Sequence, residues 1–404
     1  MAESLHVDDA ALAVRPEAEI NSLASKALIA GVLGLIGLAI GFFVDREQAL
    51  QSYLVGFFFI ACLMLGCLGL MMVHHLTGGA WGMICRRVWE AATRTLPLVA
   101  LLFLPIAFNL PVLYKWAAPG AASDPIIQMK AAYLNDTFFF VRAAVMFLVW
   151  GVLIFLLNRW SKEQDDTAAQ LPGPADRRFR MLSGPGLVLF VLTVTVMAVD
   201  WVMSLDPHWY STMFGVIVIG GQGLAAIAFS ILMVVALSDA RPFSLVVTTS
   251  ELHDLGKLML AFVMLWAYFS FSQFLIIYSA NLPEEIPFYL ERFHGGWGWL
   301  SVALALVHFV LPFTLLLSAD LKKNRRKIVA VAALVLAARA IDLIWHIGPM
   351  FHHDGSRFPI HWMDVASVVG LGGLWLSVCA RQLKGRALVP YKDPYYKEAM
   401  YEAH

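Results

Sequence analysis

The sequence predicts an all-α polytopic membrane protein with ten transmembrane helices. Of its 404 residues, 60% are hydrophobic and 14% are charged, whereas an ordinary soluble chain is about half apolar and one quarter charged. Ten runs reach the length of about 20 largely apolar residues that a spanning helix needs. The segments of about ten residues with alternating polarity that build membrane β-barrels do not occur. Helices are therefore the predicted spanning elements.

The ten runs are named the first to the tenth span below. They lie near residues 24–44, 52–74, 95–115, 137–157, 186–206, 212–237, 257–280, 297–318, 327–347 and 362–380. Between the fourth and fifth spans, the segment 161–185 is polar and interrupted by proline and glycine. It predicts a linker between two halves of the chain, although no sequence repeat is visible across it.

Lysine and arginine orient the spans, because they remain mostly on the cytoplasmic side. If the amino terminus is cytoplasmic, 22 of the 29 lysines and arginines lie inside and five lie in outer loops. Residues 1–23 contain no apolar h-region, so no cleaved signal peptide is predicted. Residues 1–23 and 381–404 are expected to be cytoplasmic tails.

The sequence offers no redox centre of its own. The four cysteines form no C-x-x-C or C-x-x-C-H motif, which argues against covalent haem and iron–sulfur clusters. His308 is the one clear histidine at mid-membrane depth, and the adjacent His74 and His75 point about 100° apart on a helix. A two-histidine haem site is therefore not expected, and no metal ligand set is predicted. The formal net charge of zero gives no argument for nucleic-acid binding.

Ionisable residues within a span are functional candidates by default, because each costs several kcal/mol unless it is paired or faces water. The segment "VMAVDWVMSLDPHWYST" (196–212) places Asp200 in the outer third of the fifth span. In the ninth span, Arg339, Asp342 and His346 recur at positions that share one helix face. They are candidates for a proton path that leads outward to 352–354 and 361. The alternative is a structural ion pair that fixes the helix.

Further polar residues complete two predicted half-channels, one from each side of the membrane. Pro312 leaves the carbonyl of His308 without its helical partner, which raises the prospect of a role for that histidine. Solvated helix caps and a buried core histidine are the alternative readings of these residues. The remaining candidates for the proton path are His74, His253, Asp254, Lys257, Gln273, Glu284 and Asp364.

Three stretches resemble one family. They are "HHLTGGAWGMICRRVWEAATRTLP" (74–97), "DWVMSLDPHWYSTMFG" (200–215) and "LGKLMLAFVMLWAYFSFSQFLIIYSANLPEEIPFY" (255–289). Together they are similar to the quinol-oxidising membrane subunits of bacterial alternative complex III, which are related to the polysulfide-reductase membrane subunit. The resemblance covers nearly all ten spans.

The resemblance implies a particular architecture in the bacterial inner membrane. The first four-helix bundle would comprise 52–206 and the second 212–347, with peripheral spans at 24–44 and 362–380. It also implies partners: a larger homologous quinol-binding membrane subunit, an iron–sulfur protein, multi-haem and mono-haem cytochromes c and a terminal oxidase, together with lipid. Haems and iron–sulfur clusters are expected only in those partners.

The resemblance also implies where menaquinone or another quinone would contact the chain. The larger homologous subunit binds quinol in its first bundle through a histidine and an aspartate. Here the third span has Asn109 at the comparable depth and no histidine, and Asp136 at the start of the fourth span matches the acid. Asn109, Asp136 and Arg142 are the quinone-binding candidates. Because Asn109 stands where the larger homologous subunit has a histidine, this chain lacks a base there that would accept a proton during quinol oxidation.

Two functions from different classes follow from these features. The first is a non-haem membrane subunit of a quinol:cytochrome c or related oxidoreductase complex, which provides scaffold, quinone contact or proton conduction. The second is an independent proton- or ion-coupled secondary transporter, in which midplane acids and broken helices bind a substrate. The polar clusters lie mostly at the span ends, which favours the first function.

Overall fold

A computed structural model describes residues 9–166, 174–351 and 359–401. Within these ranges the chain forms helices and no strand. Among the described residues, nine helices are long and apolar enough to cross a membrane, or ten if a bent pair counts as one span. The prediction of an all-helical, multi-pass membrane protein is therefore confirmed.

The helices of the ten spans mostly extend beyond the apolar runs. In chain order they are Glu17–Val44, Arg46–Thr77, the bent pair Ala80–Thr93 and Leu96–Phe108, Asp136–Asp166, Pro174–Trp201, Phe214–Ala236, Thr249–Ala280, Gly295–Leu317, Arg325–Ile347 and Trp362–Gln382. Capping side chains explain why the helices of the second and seventh spans begin before their apolar runs. Asp45 accepts a hydrogen bond from the backbone of Gln48 before the second span, and Thr248 and Glu251 form a capping box before the seventh.

The third span differs from its prediction. It begins at Ala80 instead of near 95, directly after Gly78 and Gly79, which both have positive φ angles. It bends by 44° between Thr93 and Leu96. Hydropathy did not predict the helix Ala80–Thr93 as part of a span, because the helix contains charged side chains. In the fold these side chains are buried.

The described parts of the predicted linker 161–185 are helical, and its role as a linker between two halves stays a prediction. Residues 161–166 continue the fourth span, and residues 174–185 open the fifth. Residues 167–173 lie outside the described part of the chain. Proline and glycine did not end the fifth helix, because Pro174 stands at its start and Pro185 is accommodated within it.

The second and sixth spans form the centre of the molecule. The second span is buried along its apolar length, and an added Cβ at Gly66 would overlap the carbonyl oxygen of Gln222 in the sixth. The third span also contacts the sixth, because the indole of Trp89 donates a hydrogen bond to the hydroxyl of Ser230 over 2.7 Å. The second and sixth spans come from different predicted bundles and pack directly on each other, so the division into two four-helix bundles stays a prediction.

The first and tenth spans pair along a stripe of glycines. An added Cβ at Gly34 would lie 2.6 Å from the Cα atom of Gly370, and one at Gly31 would lie 2.6 Å from the backbone nitrogen of Leu374. Such close backbone approach is typical of helices that associate in lipid through small residues. The tenth span packs in turn on the second.

The connections between spans lie at two faces. We call the face that carries the described part of the C-terminal tail the terminal face, and it also holds the connections 78–79, 237–248 and 318–324. We call the other the opposite face, and it holds the connections 202–213 and 281–294. At the terminal face, buried Glu90 accepts hydrogen bonds from Arg86, Arg87 and Arg386 at 2.7–3.3 Å. Arg86 also pairs with Asp393 of the tail over 2.5 Å. The tail is thus tied to the third span by a buried network of charges.

Candidate functional site

A cavity of about 840 Å³ lies between the seventh, eighth and ninth spans at the opposite face. Its wall is mostly apolar and aromatic, and a few polar side chains converge on it. Among the candidates from the sequence, it is lined by Gln273, Asp342 and His346. We call it the opposite-face cavity.

The charged residues of this site lie on the ninth span. Arg339 and Asp342 form a buried ion pair, with 1% and 2% of their side chains exposed. The Nδ1 atom of His346 lies 2.8 Å from the backbone carbonyl oxygen of Asp342 and 3.5 Å from its carboxylate. The predicted stripe on one helix face therefore exists. The carboxylate lies between a guanidinium and an imidazole, and it also faces the cavity.

His308 is the second histidine near this ion pair. Its ring packs against Trp266 with 4.0 Å between centroids and an angle of 37° between the ring planes. Within the described chain neither ring nitrogen has a hydrogen-bond partner. His308 lies in a π-helical segment, Ala305–Val310, within the eighth span. Such segments are rare in proteins as a whole, and those that occur are often at functional sites. Pro312, which cannot donate a backbone hydrogen bond, accounts for the departure from α-helix.

Sequence reasoning missed the residue that makes room for Arg339. An added Cβ at Gly221 in the sixth span would lie 2.6 Å from the Nη1 atom of Arg339. The guanidinium therefore lies against the backbone of the sixth span. Glycine-rich "GGQG" (220–223) was the available signal, because a glycine run inside a spanning helix indicates close approach by a neighbour.

A second group of missed residues closes the cavity at the opposite face. Arg292 donates to the carbonyl oxygens of Trp345 and His346 at the end of the ninth span, over 3.1 and 2.7 Å. Tyr289 accepts a hydrogen bond from Gln273 over 3.3 Å. Burial raises the pKa of the Tyr289 phenol to about 12 and lowers the pKa of Arg292. Tyr289 is therefore a neutral donor at physiological pH, and Arg292 neutralises the carbonyl end of the helix that holds Asp342.

A cavity of about 550 Å³ lies at the terminal face, and we call it the terminal-face cavity. His74 and Asp254, both predicted on this side, line it together. The imidazole of His74 occupies the space beside Gly82, where an added Cβ would overlap the ring. Lys257 pairs with Asp254 over 2.9 Å in an exposed pair. His253 is half-buried on the same turn.

Asp200 has its partners in the first half of the chain. Its carboxylate accepts from Arg142 Nε over 2.6 Å and from the Tyr133 hydroxyl over 2.8 Å, and the Arg142 guanidinium stacks over the Tyr133 ring. Asp200 is 1% exposed. These contacts make it one half of a buried ion pair between the fourth and fifth spans.

The three quinone candidates are not brought together. Asn109 accepts from Arg46 over 2.8 Å, Arg142 is engaged with Asp200, and Asp136 is exposed at the start of the fourth span. Within the described residues no hydrogen bond or ion pair joins them. That they contact a quinone stays a prediction.

Two other candidates also lie apart from the cavity. Asp364 accepts from Ser52 over 2.6 Å and caps the tenth span through the backbone of His361, and Glu284 is exposed. Asp200 and Asp364 thus have partners separate from those of Asp342 and His346. The predicted outward continuation at 352–354 lies outside the described residues.

The described residues contain no group of three or more histidine, cysteine or carboxylate side chains that could hold a metal ion. No protein-family model and no curated protein matches the sequence. The function must therefore be inferred from the two cavities and from the charged residues near them.

Proposed function

We propose that this protein is a non-haem membrane subunit of a quinol-oxidising respiratory complex and that it conducts protons past Asp342. The observation that carries this proposal is the buried Arg339–Asp342 pair at the wall of a cavity, with His346 in contact with Asp342 and His308 within electrostatic range of the pair. A fixed ion pair alone would need neither histidines nor adjacent open space. Histidines and space for water beside an ion pair are suited to proton transfer.

The chemistry of these residues supports proton transfer. A carboxylate between a guanidinium and an imidazole has two partners that can stabilise its charge while a proton moves. Histidine is the side chain whose unperturbed pKa lies nearest to neutral pH, so it can alternate between proton donor and acceptor. Gln273, Asp342 and His346 offer polar partners for waters in the opposite-face cavity, which has room for them because each water in the liquid occupies about 30 Å³.

The arrangement of the cavities supports two half-channels. His74 and Asp254 line the terminal-face cavity, whereas Gln273, Asp342 and His346 line the opposite-face cavity. In our proposal the terminal face is cytoplasmic, as the distribution of lysine and arginine indicates. Protons would then pass between the cytoplasm and the outer side of a bacterial inner membrane.

The resemblance to alternative complex III subunits supplies the proposed partners. They are a larger homologous membrane subunit, an iron–sulfur protein, cytochromes c and an oxidase, which together would carry the electrons. In this arrangement the chain contributes scaffold and a proton path, and its partners supply the redox centres.

The first experiment is purification from native membranes in mild detergent through a tag on this chain. The expected result is a complex of fixed stoichiometry with the absorption bands of c-type haem and quinol-dependent reduction of its acceptor. Isolation of the chain as a haem-free protein that transports its own substrate would contradict the proposal and support the transporter alternative.

A further inference from the structure

The connection between the eighth and ninth spans concentrates positive charge at the terminal face. Its residues 322–327, which we call the basic run, contain five cationic side chains: Lys322, Lys323, Arg325, Arg326 and Lys327. Within the described part of the chain only Arg325 of the five has an ion-pair partner, the exposed Asp239 at 3.2 Å. Asp320, just before the run, is exposed. Most of this positive charge is therefore not paired with carboxylates of the chain itself.

Lys322 differs from the other cations of the run, because the fold holds its side chain in one place. It is 6% exposed, and a Cβ added at Gly256 of the seventh span would lie 2.7–3.1 Å from its methylene carbons. The stem thus fills space that exists because residue 256 is glycine. Among the described residues its ammonium has no ion-pair partner. Exposed lysines at span ends are explained by membrane orientation, whereas a buried cation is costly without an anion.

The seventh span, on which this connection packs, does not provide that anion. His253 lies within electrostatic range of Lys322 and Lys323, so the two lysines lie near the first turns of the span. Asp254, the next residue, pairs with Lys257 over 2.9 Å. The anion that suits Lys322 must therefore come from outside the described chain.

The apolar surface beside the basic run suits acyl chains. Leu317, at the end of the eighth span, and Val310, further along the same helix, are both exposed. Exposed apolar side chains on a spanning helix face the bilayer. The connection 318–324 joins the ends of two spans, so the run lies where the bilayer meets water. A lipid at this position can contact the cations with its headgroup and the eighth span with its chains.

We propose that the basic run binds the phosphate group of an anionic membrane lipid, with the Lys322 ammonium as the fixed contact. Clusters of lysine and arginine next to a spanning helix attract anionic headgroups, and a charged ammonium forms short, strong hydrogen bonds to phosphate oxygens. Inorganic phosphate shares this chemistry. The boundary position and the exposed apolar side chains of Val310 and Leu317 favour the lipid. This binding goes beyond the proposed conduction of protons and does not depend on it.

The test compares two photoreactive lipids that carry the same diazirine-bearing acyl chain, one with a phosphatidylglycerol headgroup and one with phosphatidylcholine. Each is added at the same small fraction to phosphatidylcholine nanodiscs that hold the full chain with whatever partners it retains. Labelled peptides are mapped by mass spectrometry. The measured quantity is the ratio of phosphatidylglycerol to phosphatidylcholine labelling at residues 310–323. The reference is the same ratio at 98–104 of the third span, which has exposed apolar side chains and no charged residue.

The expected ratio at 310–323 is about 5-fold or more above the reference ratio, because each lysine or arginine near the surface favours an anionic lipid. Millimolar inorganic phosphate should leave this enrichment unchanged, since a soluble anion lacks the acyl chains that hold the lipid beside the run.

Three substitutions separate a fixed site from attraction by net charge. Lys322→Met keeps an apolar stem against Gly256, removes the charge and should lower the enrichment about 5-fold. Lys384→Met is the matched control, because it removes the same charge from an exposed residue after the tenth span, which packs on the first and second spans. It should leave the enrichment unchanged. Gly256→Ala displaces the stem at constant net charge and should also lower the enrichment. Lys322→Met retains the packing of the stem, so the test does not rely on the folding of Gly256→Ala.

Each of three results would overturn the proposal. Equal ratios at 310–323 and at the reference segment would show that the run does not select anionic lipid. An effect of Lys322→Met no larger than that of Lys384→Met would reduce the attraction to net charge. Loss of the enrichment in inorganic phosphate would identify a site for a soluble anion instead of a lipid.

Discussion

The guanidinium of Arg339 lies against the backbone of Gly221, in space that a side chain at position 221 would occupy. This contact joins the ninth span to the sixth at the centre of the molecule. Arg339 is the cationic partner of Asp342. Within the described residues the Nε atom of Arg339 has no hydrogen-bond partner. The position of the buried ion pair therefore depends on the absence of a methyl group at Gly221.

Gly221→Ala should displace Arg339 and destabilise the protein by about 1–3 kcal/mol, because overpacking in a close-packed interior forces side chains out of position. The measurement is thermal unfolding in detergent. Gly372→Ala in the tenth span is the matched control, since an added Cβ there meets nothing within 4 Å and no proline follows it. The control should be neutral or slightly stabilising, because alanine favours helix over glycine. Equal effects of the two substitutions would contradict this account of Gly221.

Sequence reasoning recovered what depends on local spacing. The stripe of Arg339, Asp342 and His346 follows from helical periodicity, and Pro312 indicated the irregular backbone at His308. It did not recover contacts between distant segments. The partners of Asp200 are Arg142 and Tyr133, 58 and 67 residues away in the chain, and they depend on how spans are placed side by side.

The third span shows a second limit of the same reasoning. Arg86, Arg87 and Glu90 make Ala80–Thr93 appear to be a polar connection, although the fold buries all three side chains. Their charges are balanced by one another and by Arg386, Asp393 and Asp165. A hydropathy scale counts each charge as exposed, because it cannot register a partner that is distant in sequence.

Glu90→Gln should destabilise the protein by about 3–5 kcal/mol, since removal of one carboxylate leaves buried arginines without their shared partner. It should also release the C-terminal tail, so trypsin should cleave near Arg386 and Lys392 faster than in the wild-type protein. Asp239→Asn is the control, because Asp239 is 97% exposed in its pair with Arg325, and exposed pairs contribute about 0–1 kcal/mol. Unchanged proteolysis of the Glu90 variant would show that the network does not hold the tail.

Tyr289 predicts a pH-dependent difference in stability. Its phenol keeps its proton to about pH 12 in the folded protein, whereas an unfolded tyrosine loses it near pH 10. Between these values the folded state binds more protons than the unfolded state, so stability falls as pH rises. Tyr289→Phe should cost about 1 kcal/mol below pH 10, and this difference should shrink above pH 10 and reverse in sign before pH 12, because a pKa difference of about two between the folded and unfolded states is worth more than about 1 kcal/mol. Unfolding temperatures of both proteins across this range provide the measurement, and parallel curves would contradict the assignment.

Proton uptake coupled to quinol oxidation, measured in liposomes that contain the purified complex, tests the central claim most directly. Asp342→Asn should leave assembly intact and lower coupled uptake by about 10-fold or more, the scale at which a positioned acid or base acts. It should also lower stability, because Arg339 loses its charged partner. The double variant Arg339→Leu with Asp342→Leu removes the charges together and separates the two roles. The account predicts that this variant assembles and remains deficient in coupled uptake. Full coupled activity in the assembled double variant would contradict it and would leave Arg339 and Asp342 with a structural role.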